Sequence, residues 1–498
     1  MAVLEIDARD FAARLGEWNG TDEILYKALA DRVEALIRSG QLGPDTRLPA
    51  ERQIAAGLAV SRGTVMAAYD ELRGRGLVET RHGSGTVVLS SGSPVTGPRE
   101  AHLTSALPHE SVFRWDLAPS EEVIDLRGAY WVGSDDLPDE AFELAHSDLR
   151  RFRDGHGYHV LGIPELRSVV AQRITDSGLA TTPEEVLITS GAQQAIALTL
   201  QLVIGPGDGV VVSDPTYPAA VETCVSQQGR LLTVGSTPVG MDLQQLAAVV
   251  ERHHPRLIYT IPSVHNPTGS VMPILARQRL MEIAAKHNVV VVDDRSLAET
   301  QLSPRHRPPP LASFAEGDAA ARVVTIGSAS KTMWGGLRIG WARAPEALLA
   351  RIARLKAIAD LGTPVASQLI ARHLLERGDE IAELRRGRIA QHLDVLSTAL
   401  TERIPEWTWT PPQGGLCLWV RLPQGDASDF AHIAARHGVG IIAGSVCSPT
   451  GRFRDHIRVP FGQPPEVLIE AADRLAAAWQ EYRQRLGSCR SDSLSVVV

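Results

Sequence analysis

Cysteine is scarce in this sequence. Only four of its 498 residues are cysteines, and they lie far apart, at Cys224, Cys417, Cys447 and Cys489. Their spacing fits neither a zinc site nor a disulfide framework, so we expect no metal ligation and a reducing cytoplasm. The chain has no run of about 18 apolar residues, which argues against a membrane span. Its start, "MAVLEIDARDFAARL", has early acidic residues and no long apolar core, so we expect no signal peptide.

The chain also lacks internal repeats and a strong charge of either sign. Its formal net charge is -8, and its 44% hydrophobic and 22% charged residues are typical of soluble globular proteins. A mildly acidic whole does not exclude DNA binding, because a large acidic domain can outweigh a small basic face. The length predicts roughly two to four domains.

Composition divides the chain into four parts. Residues 20–90 carry a compact helical and hairpin pattern, which we call the head. Residues 91–120 are rich in Ser, Pro and Gly without an apolar period, and we interpret them as a flexible linker. Residues 121–485 form a larger unit, the body, and residues 486–498 are expected to be a disordered tail.

The head contains the string "LPAERQIAAGLAVSRGTVMAAYDELRGRGLVETRHGSGTVV", which predicts helix, turn, helix and a two-stranded wing. Ser61 is a good N-cap for the second helix. Apolar residues then follow at i, i+3, i+4 and i+7, which predicts one buried stripe formed by Val65, Ala68, Tyr69 and Leu72.

Polar residues of this string are candidates for DNA contact. The first residues of the second helix of such a motif enter the major groove, so Arg62 could reach guanine edges and Thr64 a phosphate or base. Arg52 on the preceding helix would lie near the DNA backbone, and the wing tip would offer donors to phosphates or the minor groove. The expected DNA-contacting residues are Arg52, Ser61, Arg62, Thr64, Arg81, His82 and Gly83. The alternative is a three-helix packing module whose arginines are only solvated.

The whole string resembles the winged-helix domain of GntR-type transcription regulators. This resemblance implies that the head binds a double-stranded DNA operator. Gly63 and Met66 stand where related proteins often carry polar residues. The bases that the head would read are therefore not transferable from relatives.

The body alternates short β-branched runs with helical stretches. The runs "EEVLIT", "DGVVVSDP", "RLIYTIP" and "NVVVVDD" alternate with segments such as "GAQQAIALTLQLVI", a pattern typical of a parallel sheet covered on both faces. From about Pro364, long helical patterns precede "GGLCLWVRL" and "HIRVPFG", which predict a smaller α+β subdomain. The body is therefore expected to be α/β with an α+β subdomain at its C-terminal end.

Five separated segments of the body carry chemistry. "ITSGAQQAI" places a tight turn at a helix start, where free N–H groups favour a phosphate. "DPTYPAA" holds Tyr217 in a rigid loop, suited to stacking on a flat ring or simply to core packing. In "SVHNPTGS", Asn266 can donate to a ring oxygen. "VVVVDD" ends a strand with Asp293, which could pair with a pyridine nitrogen or cap a helix.

The fifth segment is "SASKTMWGGLRIGW", which could also be a surface loop that turns back into a buried strand. Lys331 offers an amine for a Schiff base. Ser328, Ser330 and Arg338 supply donors for a phosphate.

The order and spacing of the five segments resemble the fold-type I pyridoxal-phosphate enzymes of the aminotransferase class I and II group, over roughly residues 121–485. The resemblance implies pyridoxal 5'-phosphate as cofactor, with Lys331 forming the internal aldimine and Asp293 holding the pyridine nitrogen. It places Asn266 at the ring hydroxyl oxygen and Tyr217 on the ring. The remaining implied contacts are the phosphate cradle (backbone at Ala192 and Gln193, with Ser328, Ser330 and Arg338), Arg458 for a substrate carboxylate, and Tyr158 for the phosphate of a neighbouring subunit.

One position departs from this pattern. Relatives usually carry a tyrosine two residues after the ring-nitrogen acid, in a "DDY" string, whereas this chain has "DDR" with Arg295. An arginine stays charged and cannot take that part. Arg295 could turn to solvent, pair with Glu299 or bind an anionic ligand. We hypothesise that it alters cofactor electronics or ligand choice.

The combination of head, linker and body resembles the MocR (GabR-like) subfamily of GntR regulators. That resemblance implies a homodimeric regulator whose body senses an amino compound or the cofactor itself through Lys331 and whose heads bind paired operator half-sites. Two alternatives stay open. One is a working aminotransferase that carries a DNA-binding head, and the other is a regulator that responds to pyridoxal phosphate alone.

Overall fold

The computed structural model of the protein describes residues 8–15, 25–38, 42, 46–58, 60–74, 77–81, 85–88, 123–132, 137–303 and 307–494. The chain forms two compact units, Met1–Ser105 and Ala106–Val498. The predicted linker at 91–120 lies outside the described residues. None of the helices in the described ranges has the length and apolarity needed to cross a bilayer.

The N-terminal unit is the head. Its elements are α1 (Ala8–Leu15), α2 (Leu25–Arg38), α3 (Glu51–Gly57), α4 (Arg62–Gly74), β1 (Val78–Arg81) and β2 (Gly85–Val88). Strands β1 and β2 pair antiparallel, which confirms the two-stranded wing. Helix α1 begins before the predicted start of the head at residue 20, yet Phe11 and Leu15 are buried in the head core. The sequence did not predict this helix, because its apolar residues are few and the residues they pack against lie elsewhere in the chain.

The second helix of the motif forms for the predicted reasons. The Ser61 hydroxyl accepts a hydrogen bond from the Thr64 backbone N–H at 3.0 Å, which satisfies one of the free donors at the start of α4. The four stripe residues are at most 1% exposed. Tyr69, one of them, also donates its hydroxyl to the Pro49 carbonyl at 3.0 Å. This hydrogen bond holds the segment before α3 against α4.

The C-terminal unit is the body, in which helices and strands alternate. Its elements are β3 (Ile124–Asp125), α5 (Asp139–Phe152), α6 (Pro164–Asp176), β4 (Val186–Thr189), α7 (Ala192–Val203), β5 (Gly209–Asp214), α8 (Pro218–Ser226), β6 (Arg230–Thr237), β7 (Gly240–Met241), α9 (Leu243–His253), β8 (Leu257–Thr260), α10 (Ile274–Lys286), β9 (Val290–Asp294), β10 (Val323–Ser328), β11 (Gly340–Arg343), α11 (Glu346–Asp360), α12 (Val365–Glu376), α13 (Gly378–Arg403), β12 (Thr408–Trp409), β13 (Cys417–Arg421), α14 (Ala427–Arg436), β14 (Val439–Gly440), β15 (Ile442–Ala443), β16 (His456–Pro460) and α15 (Pro465–Leu494).

The main sheet has the strand order β4-β11-β10-β9-β8-β5-β6-β7. Strands β10, β9, β8, β5 and β6 pair parallel, whereas β11 runs antiparallel to both its neighbours and β7 pairs antiparallel with β6. The sequence predicted a parallel sheet, so these two strands are a correction. The physical reason for β11 is the short connection from Ser328 to Gly340, since a parallel return needs a crossover of about a dozen residues or more, usually a helix.

Apolar side chains cover both faces of the main sheet. Adjacent residues of a strand point to opposite faces. In β9, Val291 belongs to one core cluster and Val292 to the other. The same alternation decides the direction of the two aspartates that end this strand.

The C-terminal subdomain is α+β, as predicted. Its four-stranded antiparallel sheet has the order β12-β13-β16-β15, and helices α13, α14 and α15 cover it. Trp407, Phe430 and Trp479 pack edge to face in its core. Strand β3 pairs parallel with β14, which ties the start of the body to this subdomain.

The end of the chain differs from the prediction. A disordered tail was expected from residue 486, but α15 continues to Leu494. Extending an existing helix adds one hydrogen bond for each residue fixed, and no proline interrupts this stretch. Residues 495–498 lie outside the described part of the chain.

Candidate functional site

The carboxyl ends of the parallel strands meet at one edge of the main sheet, where ligands bind in open α/β folds. A pocket lies there, bounded on the other side by the segment that leads into β13. It is lined by Ala129, Ala192, Gln193, Ile196, Tyr217, Ile261, His265, Asn266, Gly269, Asp294, Ser296, Leu297, Ser328, Ser330, Lys331, Arg338, Gly414, Gly415, Leu416 and Cys417. The pocket therefore brings together eight of the eleven residues predicted for the cofactor and its ligand, and Asp293, Arg458 and Tyr158 are not among its lining residues.

Lys331 follows β10 and projects into the pocket. Its Nζ donates a hydrogen bond to the Ala129 carbonyl at 2.7 Å. Burial, reinforced by the positive charge of Arg458, lowers the pKa of the Lys331 amine to about 8. A neutral amine is a nucleophile, so this lysine is prepared to attack a carbonyl carbon near neutral pH.

The structure places Asp294, and not the predicted Asp293, at the pocket. Asp294 lines the pocket, where the Tyr259 hydroxyl donates to its Oδ2 at 2.6 Å and the Ser296 N–H donates to its Oδ1 at 2.9 Å. Asp293 lies on the other face of β9 and accepts from the Leu311 N–H at 2.8 Å. Burial raises the pKa of Asp293. A shift of one residue in a strand reverses the face, so the pair "DD" alone did not decide between them.

Arg295, the next residue along the chain, makes its hydrogen bonds outside the pocket. It does not line the pocket, and its Nη1 donates to the Ser263 hydroxyl at 2.8 Å and the Pro308 carbonyl at 3.4 Å. If Asp294 takes the place of the ring-nitrogen acid, the position that relatives usually fill with tyrosine is occupied by Ser296. Ser296 lines the pocket. The proposed influence of Arg295 on the cofactor ring therefore has no contact to act through, and its anion-binding alternative remains.

Two residues are placed to hold a flat ring. Tyr217 immediately precedes α8, and burial raises the pKa of its hydroxyl to about 12, which keeps it protonated. Asn266 follows from the loop after β8, and its Oδ1 lies 3.5 Å from the Arg458 Nη1 donor. Both side chains line the pocket, as the sequence predicted.

The end of the pocket near α7 is shaped for an anion. Gly191 precedes the helix with φ 83°, and a Cβ there would lie 2.7 Å from Arg338 Nη2. A Cβ on Gly340 would lie 2.5 Å from the Ala192 nitrogen. Because both glycines lack a side chain, the Arg338 guanidinium and the N–H groups that begin α7 can converge on one point. Free N–H groups and a guanidinium are the donors that a phosphate requires.

Arg458 lies beside the pocket. It sits in β16, is 4% exposed, and donates through Nη2 to the Arg127 carbonyl at 2.5 Å. Its Nε is buried and has no hydrogen-bond partner among the described residues. An unpartnered buried donor on a guanidinium is suited to a ligand carboxylate.

Tyr158 is not part of the pocket of its own chain. It is 63% exposed and stacks on His156, with ring centroids 6.2 Å apart. Its predicted contact with the phosphate of a neighbouring subunit stays a prediction.

Sequence reasoning missed several lining residues. His265 is buried beside Asn266, and burial lowers the pKa of its ring to about 4, so it is neutral at physiological pH. Its position in "SVHNPTGS" was a signal that could have been used. Gly414 to Cys417 lie at and just before the start of β13. The local sequence pattern does not predict that they reach the pocket. The Cys417 thiol has its pKa raised by burial.

The head presents Arg52 and Arg62 at its surface. Arg52 and Ser61 are exposed, and the Arg62 side chain is 67% exposed while it pairs with Glu51 at 3.3 Å. Arg81 is described only as part of β1, and His82 and Gly83 lie outside the described residues. Their contacts with DNA remain predictions.

Two protein families match the chain, one over the body and one over the head. Residues 127–475 match the family Aminotransferase class I and II. The chain belongs to this family. Residues 25–88 match the bacterial regulatory proteins of the gntR family, so a GntR-type DNA-binding domain precedes the aminotransferase-like domain.

Two relatives are regulators by name, and one of them matches along nearly the whole chain. The chain is 27% identical to the HTH-type transcriptional regulator YisV of Bacillus subtilis, over 93% of this chain and 98% of the relative. It is 30% identical to the probable rhizopine catabolism regulatory protein MocR of Rhizobium meliloti, over 66% of each chain. This two-domain organisation is that of the MocR-type regulators, as the sequence indicated.

A solved aminotransferase shares the fold of the body. The α-aminoadipate aminotransferase LysN of Thermus thermophilus, complexed with N-(5'-phosphopyridoxyl)-L-leucine, is 30% identical and superposes with a TM-score of 0.69, covering 75% of this chain and 95% of its own. Pyridoxal phosphate is the cofactor of this aminotransferase-like domain. The pocket fits that group, because it offers an acid, a buried amine and a glycine-flanked anion cradle.

The assignment of Asp294 can be tested by exchange. Asp294→Asn should weaken pyridoxal phosphate binding about 10- to 100-fold, since a charged hydrogen-bond partner is worth about 1.5–3 kcal/mol. Asp293→Asn is the matched control and should change the affinity far less. Absorbance titration of both variants measures this. A larger loss in Asp293→Asn than in Asp294→Asn would show that the wrong aspartate had been assigned.

The pKa of Lys331 gives a pH prediction. Lowering it from 10.5 to about 8 raises the neutral fraction below pH 8 roughly 300-fold. As pH rises through about 8, Lys331 loses its proton, so its reaction with pyridoxal phosphate should accelerate and then level off. Borohydride trapping and mass spectrometry of the Lys331 peptide measure this rate.

The matched control for that measurement is an unstructured peptide with one lysine, because it cancels the titration of the aldehyde itself. The ratio of protein to peptide rate should fall between pH 8 and 10.5. A constant ratio would mean that Lys331 titrates like an exposed lysine.

Proposed function

We propose that this protein is a pyridoxal-phosphate-dependent transcription regulator whose body senses an amino compound and whose head binds a DNA operator. The observation that carries the proposal is the pocket around Lys331, in which a buried amine with a lowered pKa lies near a guanidinium with an unpartnered Nε. A GntR-type head in the same chain gives this pocket a regulatory output.

Different residues of the pocket would hold different parts of the cofactor. When bound, pyridoxal phosphate supplies an aldehyde carbon that captures primary amines and an electron-poor ring. Asp294 would hold the ring nitrogen, Asn266 the ring oxygen and Tyr217 the ring face. The phosphate would lie between the start of α7 and the side chains of Ser328, Ser330 and Arg338.

Ligand choice follows from Lys331 and Arg458. Lys331 Nζ is the group whose place at the aldehyde a primary amine would take, and the released amine can hold a proton near the reacting carbon. Arg458 Nε would donate a hydrogen bond to a carboxylate of the same ligand. A ligand that carries both a primary amine and a carboxylate is an amino acid. Selectivity for a primary amine then comes from covalent chemistry and selectivity for the acid from charge.

Regulation requires that the ligand favours one of two body conformations. We propose a homodimer, in which each pocket receives Tyr158 of the neighbouring subunit and two heads bind paired half-sites. Two heads on one dimer raise the effective concentration at the second half-site, so the spacing that the body permits would select the operator.

A combined titration tests this function. The protein with pyridoxal phosphate is titrated with amino acids and simple amines while visible absorbance and binding to a DNA fragment selected from a random library are recorded. We expect one amino acid to shift the absorbance to a stable new state and to change the DNA affinity in parallel. Lys331→Ala should remove both responses while DNA binding without ligand is retained.

Other outcomes of this titration contradict the proposal. Steady conversion of the cofactor to its amine form, reversed by a keto acid and without effect on DNA binding, would make the protein an aminotransferase with a DNA-binding head. A DNA affinity that responds to pyridoxal phosphate and ignores every amine would make the cofactor itself the signal.

Arg62 provides a test of the head. The Arg62–Glu51 ion pair is exposed and so is worth at most about 1 kcal/mol, which a base contact can replace. Arg62→Ala should weaken operator binding by about 1–3 kcal/mol, and Glu51→Gln, which releases Arg62, should strengthen it slightly. Arg73→Ala, at the far end of α4, is the matched control. Equal affinities of the Arg62 and Arg73 variants would remove Arg62 from operator recognition.

A further inference from the structure

A second cavity lies next to the cofactor pocket. It has a volume of about 390 Å³, and its walls come from the end of α6, the turn at 295–299, the segment 307–310, β10, β11 and the start of α13. We call it the arginine cavity, because Arg173, Arg295 and Arg307 line it. It shares Ser296 and Ser328 with the cofactor pocket.

Arg307 has an unused edge in this cavity. Its Nε and Nη2 are both buried, and neither has a hydrogen-bond partner within the described part of the chain. These two nitrogens form one edge of the planar guanidinium, which is the edge that binds both oxygens of a carboxylate or phosphate at once. Leaving two charged donors buried and unbonded is costly, so the edge is better explained by a ligand than by the fold.

The other polar groups of the cavity are partly committed to the protein. Arg173 pairs with Glu299 at 2.7 Å and with the exposed Asp379 at 3.4 Å. Arg295 donates to the Ser263 hydroxyl and the Pro308 carbonyl. In the described ranges no carboxylate lies within ion-pair distance of Arg295 or Arg307. Glu299 and Asp379 also line the cavity, and their charges act on Arg307 from beyond ion-pair distance.

Three further buried atoms complete the set. The hydroxyls of Ser296 and Thr325 and the Oε2 atom of Glu299 have no hydrogen-bond partner among the described residues. All three residues line the arginine cavity. The hydroxyls can donate hydrogen bonds to an oxyanion, whereas Glu299 Oε2 can accept a hydrogen bond from a hydroxyl on the same ligand. The arrangement matches an oxyanion that also carries one donor.

We propose that the arginine cavity is a second ligand site, distinct from the cofactor pocket, which binds a small hydroxylated carboxylate or a phosphate through Arg307. The ligand would contact Ser296, whose backbone N–H holds Asp294, and Ser328 at the anion cradle. Occupancy of the cavity and binding in the cofactor pocket would then influence each other reciprocally. The site does not depend on whether the cofactor pocket senses amines.

The test titrates the full-length protein with bound pyridoxal phosphate by calorimetry, using malate and, separately, inorganic phosphate. Neither probe has an amine that could react in place of Lys331, so the result is independent of the proposed function. We expect one probe to bind at one site per chain and Arg307→Gln to weaken it about tenfold or more. The probe that binds distinguishes a carboxylate ligand from a phosphate ligand.

Two control variants locate the binding. Arg279→Gln removes an exposed arginine of α10 that pairs with Glu282, and it should bind the probe like the wild type. Arg458→Gln should also retain binding, because Arg458 lies beside the cofactor pocket and does not line the arginine cavity. Loss of binding in Arg458→Gln with retention in Arg307→Gln would overturn the proposal, as would binding of neither probe to the wild type.

Thermal unfolding provides a readout that a structural role of Arg307 would not give. Arg307→Met should raise the Tm of the protein without probe, since it removes unbonded buried donors, and should abolish the stabilisation that the probe confers. A lower Tm with unchanged probe binding would make Arg307 a structural residue and overturn the proposal. Thr325→Val removes one donor without changing charge, and it should weaken probe binding even where Arg307 variants fail to fold.

Discussion

The chemistry of the body depends on the way strand β9 ends. Two adjacent buried aspartates close this strand, and the alternation of a β-strand sends them to opposite faces. Each carboxylate therefore needs its own partners. Asp294 is held by the Tyr259 hydroxyl and the Ser296 N–H, whereas Asp293 is held by the Leu311 N–H near Arg277 and Arg295. The first arrangement faces the cofactor pocket, and the second stabilises the segment that borders the arginine cavity.

Positive charge dominates the cofactor pocket. Lys331 lies close enough to Arg458 and Arg338 for their charges, together with burial, to lower the pKa of its amine. The repulsion would be relieved by anions, and a phosphate together with a ligand carboxylate supplies them. Under the proposed function, the same electrostatics would favour an amine ligand that also carries an acid. Bound anions would therefore neutralise the excess positive charge of the pocket.

Several features of the pocket and of the head can be predicted from single segments of the sequence. Lys331, Tyr217 and Asn266 were predicted for the pocket and line it, because each sits in a short motif whose chemistry depends on its neighbours in the chain. The N-cap at Ser61 and the buried stripe of α4 were predicted for the same reason. Asp294, the antiparallel direction of β11 and the helix at Ala8–Leu15 were not, because each depends on pairing or packing with distant residues.

The sequence by itself determined the division into a DNA-binding head and an aminotransferase-like body and the placing of Lys331 in the pocket. Local motifs and the periods of helices and strands carry the division, and the order of the motifs carries the family resemblance that implied the cofactor class. Only the tertiary structure decided which aspartate faces the pocket, brought Gly414 to Cys417 to the same pocket as Lys331, and placed Arg307 in a cavity with β10. The physical reason is that a strand reverses its face with every residue, and a cavity is enclosed by segments that the chain brings together from far apart.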